Sequence, residues 1–251
     1  MLLAVDIGNT DIVFGLWGNA EWLAQLRHPT GDATGAPQAV RHWLQEEKMT
    51  DATVKKLVIS SVVPSVTATV QNDLEQEFDV PALILGSALY QRLPIRIDNP
   101  EEIGSDLVAN AFAAFHRFGQ ACIVVDFGTA LTFTTISGKG EILGVAIAPG
   151  LNTAMESLFA KTARLHKVPL DLPESVIGKN TTHALQAGIL WGYVGLVNDL
   201  LDRIIAELGR EVKVVATGGL SRVLQPLSVR FDQVDPLLTL EGLRLIHDEF
   251  G

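Results

Sequence analysis

Val5-Asp6-Ile7-Gly8-Asn9-Thr10 closes the apolar N-terminal run Met1-Leu2-Leu3-Ala4, and a second apolar run, Ile12-Val13-Phe14, follows it. The pattern is strand, aspartate, glycine-containing turn, strand. A hairpin turn alone accounts for Gly8-Asn9, but the construction returns at Val124-Val125-Asp126-Phe127-Gly128-Thr129. Aligning the two Asp-x-Gly cores pairs the first loop with a second that is one residue shorter. A β-like run follows each, Ile12 to Trp17 and Leu131 to Ile136, and each run reaches a glycine-containing turn, Gly18-Asn19 and Gly138-Lys139-Gly140. Two strand–Asp-x-Gly–strand units predict a duplicated domain with two loops of the same kind.

Outward from these hairpins, helices and strands alternate. Pro37 to Lys48 carries Ala39, Val40, Trp43 and Leu44 at helical spacing. Lys56 to Val62 reads as a buried strand, Pro64 opens a helix at its first turn, and Ala82 to Leu85 is another short strand. Leu93 to Pro100 reads as extended, and Glu101 to Asp106 leads into a helix over Leu107 to Phe118. In the second half, strands near 121–127, 131–137 and 141–148 precede Pro149-Gly150 and a helix through Leu158. A less regular stretch, Lys161 to Ile177, carries Thr162-Ala163-Arg164-Leu165-His166. Asn180-Thr181-Thr182 caps one long helix to about Glu207. Val212 to Ala216 is a strand broken by Thr217-Gly218-Gly219, and a last helix runs from about Leu240 to Phe250. The class is α/β in two mixed halves, residues 1–115 and 116–251, with the last helix able to pack back on the first half.

Composition narrows the function. The chain has 251 residues, 47% hydrophobic and 19% charged, so it buries a core. A net charge of −10 argues against broad nucleic-acid or anionic-membrane binding but leaves a small phosphorylated ligand open. The single cysteine, Cys122, sits in an apolar run and reads as a small packed hydrophobe. No run of about 18 apolar residues and no basic leader precedes the first strand, so the expectation is a soluble protein of a reducing compartment. The six histidines (28, 42, 116, 166, 183, 247) have no metal spacing, and neither a Walker A nor a G-x-G-x-x-G pattern occurs. What remains is a set of Asp, Gly and Thr at strand ends. Beside phosphate oxygens an aspartate can hold Mg²⁺, a hard cation that prefers oxygen. Glycines let backbone N–H groups approach phosphate, while threonine hydroxyls and Asn9 add donors. Thr217-Gly218-Gly219 can similarly let a nucleotide ring approach the backbone.

In order and spacing, Asp6 to Thr10, Ser60-Ser61-Val62-Val63-Pro64, Asp98-Asn99-Pro100, Gly104-Ser105-Asp106, Asp126-Phe127-Gly128-Thr129-Ala130, Ala148-Pro149-Gly150, Gly178-Lys179-Asn180-Thr181 and Thr217-Gly218-Gly219 form one set. The set resembles the sugar kinase/heat-shock chaperone/actin superfamily, and within it the type III pantothenate kinases, over nearly the whole chain. The resemblance implies two duplicated ribonuclease-H-like (actin-like) domains, each a mixed sheet with flanking helices. The activity it implies is ATP-dependent phosphorylation of pantothenate, the first step towards coenzyme A, in a cytoplasmic homodimer with no nucleic-acid or membrane partner. The long apolar helix from Asn180 is the expected dimer contact or else a core element of one subunit.

By the same resemblance, ATP and its phosphates would be bound by Asp6, Ile7, Gly8, Asn9, Thr10, Asp11, Ile12, Val13, Gly128, Thr129, Gly218 and Gly219. Asp6 would organise Mg²⁺, and Asp126 would help bind a monovalent cation, K⁺ or NH₄⁺. The acceptor would meet Gly104, Ser105, Asp106, Leu107 and Thr181. Asp106 would be the general base, although as a residue it also reads as a helix cap.

Three departures fall on the acceptor side. Gly104-Ser105-Asp106-Leu107 stands where the family usually has Gly-Ala-Asp-Arg, Ile97 stands where many members have tyrosine, and a lysine-threonine-glycine stretch is absent from Tyr90 to Ile97. Serine for alanine reads as a mild change. Leucine for arginine removes a cation suited to the substrate carboxylate, with Arg96 and Arg164 as the candidates to replace it. Two alternatives therefore stay open: a kinase of this fold with another small hydroxy acid as acceptor, and a nucleotide-binding regulatory relative.

Overall fold

Two five-stranded sheets share one topology. In the first, three antiparallel strands, β1 (Leu2–Ile7), β2 (Asp11–Gly18) and β3 (Glu21–Pro29), are extended by β4 (Lys56–Ser61) and β5 (Ala82–Leu85) running parallel to β1, in the order β3-β2-β1-β4-β5. In the second, β6 (Cys122–Phe127), β7 (Ala130–Ile136) and β8 (Ile142–Pro149) repeat the meander. Here β9 (Lys213–Thr217) and β10 (Gln233–Val234) are the parallel additions, in the order β10-β9-β6-β7-β8. The duplication expected from the two Asp-x-Gly hairpins is thus a duplication of whole sheets. The structure, a computed structural model, describes residues 1–49, 54–161, 168–219 and 225–251. The stretch Thr162 to His166, including Arg164, lies outside the described residues.

The chain divides into one unit of Met1–Arg117 with Leu237–Gly251 and a second of Phe118–Pro236. In the first unit β1 is central and apolar on both faces, as a strand flanked by β2 and β4 and covered on both sides must be. Its core joins Leu3, Val5, Ile7, Phe14 and Ile59 to Val40, Trp43 and Leu44 of α1 (Ala36–Glu46) and to Val70 and Leu74 of α2 (Pro64–Phe78). Pro64 opens α2 where a missing N–H costs nothing. The last helix, α8 (Leu238–Phe250), packs on β1, β2 and β4. It also crosses α4 (Ser105–Phe118) so closely that a Cβ on Gly242 would collide with the Ala109 carbonyl. In the second unit, Ile123, Val125, Phe133 and Val214 of the sheet pack on Leu151 of α5 (Leu151–Lys161) and on Leu190, Tyr193, Val197 and Leu201.

Several details differ from the sequence expectation. The β2–β3 turn is Asn19-Ala20, both left-handed (φ 54° and 63°), one residue later than Gly18-Asn19. Residues 93–99 add no strand to the sheet and run irregularly into a 3-10 turn, Pro100–Glu102. Thr217 ends β9 instead of breaking it. The short helix α3 (Ser87–Tyr90) and β10 carry too little periodicity to be read. The long helix is composite: α6 (Thr181–Gln186), a π turn over Ala187–Trp191, then α7 (Gly192–Leu208). At 28 residues it is long and apolar enough, by length and composition, to cross a membrane. Yet it lays Leu190, Val197 and Leu201 into the core of the second unit.

Candidate functional site

The first unit carries Asp6 near the end of β1, half-buried between β2 and β4. Ser60, fully buried and paired in register with Asp6 on β4, donates its hydroxyl to Asp6 Oδ1 at 2.9 Å. The loop that follows is tied from outside itself. Gly8 N–H donates to the Asp11 carbonyl at 3.0 Å, Thr30 Oγ1 donates to the Gly8 carbonyl at 2.7 Å, and Thr30 N–H donates to the Thr10 carbonyl at 3.0 Å. Neither Gly8 nor Asn9 is left-handed, so the loop is not the tight hairpin turn its Gly-Asn pair suggests. Asn9 and Thr10 are exposed, whereas Ile7 and Ile12 are fully buried, so those two can offer a ligand only main-chain atoms. Val13, partly buried, faces Asp6 in register. Asp11 lies 3.8 Å from Arg27 in an open ion pair.

The start of α4 sits beside this loop through two hydroxyls. Ser105, buried at the first position of α4, accepts from Ser61 N–H at 2.9 Å, donates to the Ser61 carbonyl at 3.0 Å and lies 2.8 Å from Ser60 Oγ. The serine that reads as a mild change in sequence is therefore a junction. Asp106 follows inside the first turn; its Oδ1 accepts from the adjacent Leu107 N–H at 2.8 Å, so it is not the helix cap that the sequence suggests, whose side chain would accept from an N–H two or three residues on. Removal from water raises the Asp106 carboxyl above its ordinary pKa, against the lowering effect of the Leu107 N–H and of its own N–H. A Cβ on Gly104 would collide with Asp106 Oδ1, so any larger residue there would displace that carboxylate. Tyr90, buried at the end of α3, donates to the Ile103 carbonyl at 3.3 Å. Its phenol is pushed up to about 12, first by burial and then by the negative charge of Asp106. Leu107 is buried.

The second unit repeats the carboxylate with different supports. Asp126 is half-buried on β6 and pairs in register with Thr132 of β7 and Thr217 of β9. Gly218, at φ +89°, passes so close that a Cβ would lie 2.6 Å from Asp126 Oδ1 and from the Phe127 carbonyl. Gly128 and Thr129 are exposed; the Thr129 carbonyl accepts from Gly150 N–H at 3.0 Å and from Thr153 Oγ1 at 2.7 Å. A Cβ on Gly150 would collide with the Gly128 carbonyl. Thr132 Oγ1 is buried with no hydrogen-bond partner, an oxygen on the strand position facing Asp126. Gly219 is exposed. Thr181 is exposed at the first position of α6, where Asn180 Oδ1 caps by accepting from His183 N–H at 2.9 Å. Among the described residues no cluster of three or more His, Cys, Asp or Glu could hold a metal ion by itself. Cys122 is buried and its thiol is pushed up to about 12.

A profile of the type III pantothenate kinase family matches residues 2–203. The chain belongs to the type III pantothenate kinase family. It is 42% identical over 252 residues to a type III pantothenate kinase of Geobacter sp. (strain M21), with 98% of each chain covered. Two solved structures share the fold. One, from Campylobacter jejuni, is provisionally named a Baf-family transcriptional activator (TM-score 0.61, 20% identity, 98% of each chain). The other, from Sinorhizobium meliloti, is provisionally named a 2-dehydro-3-deoxygalactonokinase (TM-score 0.60, 13% identity, 100% of this chain and 97% of that one). Both likenesses show the fold, two five-stranded sheets of one topology with flanking helices. Within this family member, the residues that sequence reasoning passed over are Ser60, Thr30, Tyr90, Gly150 and Thr132. Of these only Ser60 and Gly150 fell inside motifs, and neither motif gave a reason to single it out.

Proposed function

We infer that the chain transfers the γ-phosphoryl group of ATP to the hydroxyl of pantothenate, the step that opens coenzyme A synthesis, with Asp106 as the base. The observation that carries the assignment of the base is a carboxyl raised by burial at the first turn of α4, two residues after a glycine whose missing side chain makes room for it. Asp106 takes the hydroxyl proton as the acceptor oxygen attacks the γ-phosphorus, and ADP leaves. Positioning and electrostatics carry most of such a transfer. Its bond to Leu107 N–H orients the carboxylate through Oδ1.

On the nucleotide side, Asn9-Thr10 and Thr129 would offer main-chain N–H groups and hydroxyls to phosphate, the Gly8 and Gly128 N–H groups being already bonded to the Asp11 and Ala130 carbonyls. Asp6 would hold Mg²⁺ together with phosphate oxygens and water, an all-oxygen set that suits this ion; when bound it neutralises phosphate charge. Asp126, with the unpartnered Thr132 hydroxyl opposite, is the oxygen pair for a monovalent cation, K⁺ or NH₄⁺. Gly218 and Gly219 would lie against the nucleotide, and Thr181 against the acceptor. The protein would work in the cytoplasm as a homodimer. A second reading, the same transfer to a different small hydroxy acid, is favoured by one observation: the residue after the base is a buried leucine, which offers no charge to a carboxylate.

Both readings are tested by ATP turnover with pantothenate and a panel of small hydroxy acids, with Mg²⁺ and K⁺ present. Pantothenate-dependent ADP release should fall by about 10²–10⁴-fold in Asp106→Asn. Turnover only with another acceptor selects the second reading, and ATP binding without transfer to any acceptor would sink both. The acid limb of kcat/KM should lie above the ordinary carboxylate range, since the base must be ionised. Stability should move the other way. The folded protein holds this proton more tightly than the unfolded chain, so its contribution is lost as pH rises from the unfolded pKa through the folded one. Asp106→Asn should therefore raise the Tm at neutral pH and leave it unchanged well below the unfolded pKa.

A further inference from the structure

Two buried hydroxyls connect the carboxylate of Asp6 to the backbone that presents Asp106. Ser60 has one proton, and the acceptor aligned with it is Asp6 Oδ1 at 2.9 Å. At the 2.8 Å contact between the two serines, Ser105 is therefore the donor. Its proton is shared between Ser60 Oγ and the Ser61 carbonyl at 3.0 Å, a lone pair takes Ser61 N–H at 2.9 Å, and the Tyr90 phenol is a further hydrogen-bond partner. Ser105 thus engages β4 by three bonds at the point where that strand ends, and it is the residue immediately before Asp106. An alanine at this position would keep the helix but would break the chain of contacts at its centre. Both hydroxyls are nearly inaccessible to solvent, Ser60 at 0% and Ser105 at 3%, so water cannot replace a lost partner.

We propose that Ser105 is a positioning residue for the transfer: with Ser60 it forms a buried hydroxyl bridge that holds the Asp6 carboxylate and the Asp106 helix start in one fixed relation. This rests on Asp106 being the base and Asp6 serving the nucleotide. It makes the carboxylate that orients the phosphate chain and the carboxylate that receives the proton parts of one rigid unit, joined across β1, β4 and α4. Ser105 is 3% exposed, so rather than meeting the acceptor directly, as the resemblance implies, it would act through the groups on either side of it.

The test uses four full-length proteins: wild type, S60A, S105A and the double variant. Calorimetry with Mg²⁺ and the non-hydrolysable analogue AMPPNP gives affinity and counts competent sites; turnover with ATP and pantothenate gives kcat per competent site and KM. Each single variant should lose about tenfold in kcat per site, the loss expected of one hydrogen bond in a charged network. Pantothenate KM should stay within about twofold in each, since the bridge runs between the Asp6 carboxylate and the start of α4 and supplies no contact to the bound acceptor. Members of one network are non-additive, so the double variant should fall no more than about twofold below the worse single. AMPPNP should bind about threefold more weakly to S105A as well as to S60A, because the bridge reaches Asp6 from either serine. A helix tie with no part in positioning would lower Tm and the number of competent sites but leave kcat per site and AMPPNP affinity alone. Wild-type kcat per site in S105A, multiplicative losses in the double variant, or AMPPNP affinity lost in S60A but kept in S105A would each overturn the bridge. If wild type turned over no pantothenate, the kinase reading would fail separately, and the AMPPNP measurements would still decide the bridge.

Discussion

The two Asp-x-Gly hairpins occupy the same place in sheets of the same topology, yet they are held by different physics. In the first unit the aspartate and its loop are pinned by hydroxyls: Ser60 on Asp6, Thr30 on Gly8. In the second the loop is likewise tied by a hydroxyl, Thr153 on the Thr129 carbonyl, but close packing hems the aspartate and the main chain beside it, with Gly218 against Asp126 and Gly150 against the Gly128 carbonyl. The loop glycines themselves differ little, because a Cβ on Gly8 would meet its nearest atom at 3.1 Å and one on Gly128 at 3.4 Å. Duplication preserved the strand and its carboxylate, and each copy then acquired its own means of fixing them. A polar pin holds a carboxylate whose charge has to be presented; a steric pin holds a backbone whose path has to be narrow.

The largest effects should come from the aspartates, and they should differ in kind. Asp6→Asn keeps the shape and an acceptor for Ser60 but removes the charge that would serve Mg²⁺. We expect kcat to fall by about 10²–10³-fold, the scale of losing one electrostatic element of a transfer site. Asp126→Asn should instead flatten the dependence of rate on K⁺ or NH₄⁺ concentration, with a smaller loss at saturating cation. Rate measured against each cation in both variants checks this. Equal and interchangeable responses would mean that the two carboxylates had not diverged in role.

Next come the glycines, read as stability. Gly218→Ala has to place a Cβ at φ +89° within 2.6 Å of Asp126 and Phe127. Left-handed strain of about 1–2 kcal/mol adds to overpacking of about 1–3 kcal/mol. Gly8→Ala, whose tightest contact is 3.1 Å and whose φ is not left-handed, should cost much less. Thermal unfolding of the two variants compares them directly; a Gly8→Ala variant as unstable as Gly218→Ala would refute the distinction between polar and steric pins.

Much of this architecture was legible because it is local. Alternating apolar runs on either side of an Asp-x-Gly turn mark a hairpin, and the same run twice marks a duplication; Pro64 and Asn180 mark helix starts by chemistry confined to one turn. What stayed hidden depends on pairs far apart in the chain. Ser60 and Ser105 are 45 residues apart, and serine at a strand end or helix start is ordinary until the two are seen to touch. Tyr90 came into the site through a four-residue helix too short for any period to show. Gly150 and Gly218 look like ordinary turn glycines, and only the approach of another main chain gives them a reason. The π turn at Ala187–Trp191 leaves the apolar pattern of the long helix almost unchanged, so a single helix is what the pattern predicts.

The smallest expected effect concerns Leu107, where the acceptor side departs most from its family. Leu107 lies one residue past Asp106 and is buried, so an arginine there has to lay its stem along the apolar surface the leucine now covers and carry its head outward. Long cationic side chains do this readily. At the first turn of α4 the head would emerge near Asp106, where an acceptor carboxylate could meet it. Leu107→Arg should therefore lower the KM for pantothenate by about three- to tenfold, a fraction of what a charge-assisted bond supplies because part is spent ordering the side chain. The Tm should fall, since a methyl-rich contact is exchanged for a charge at the edge of the packing. Steady-state kinetics and thermal unfolding on the one variant separate the two effects. An unchanged KM with a lowered Tm would place the acceptor carboxylate away from α4, and the leucine would then be a packing substitution with no bearing on which hydroxy acid is phosphorylated.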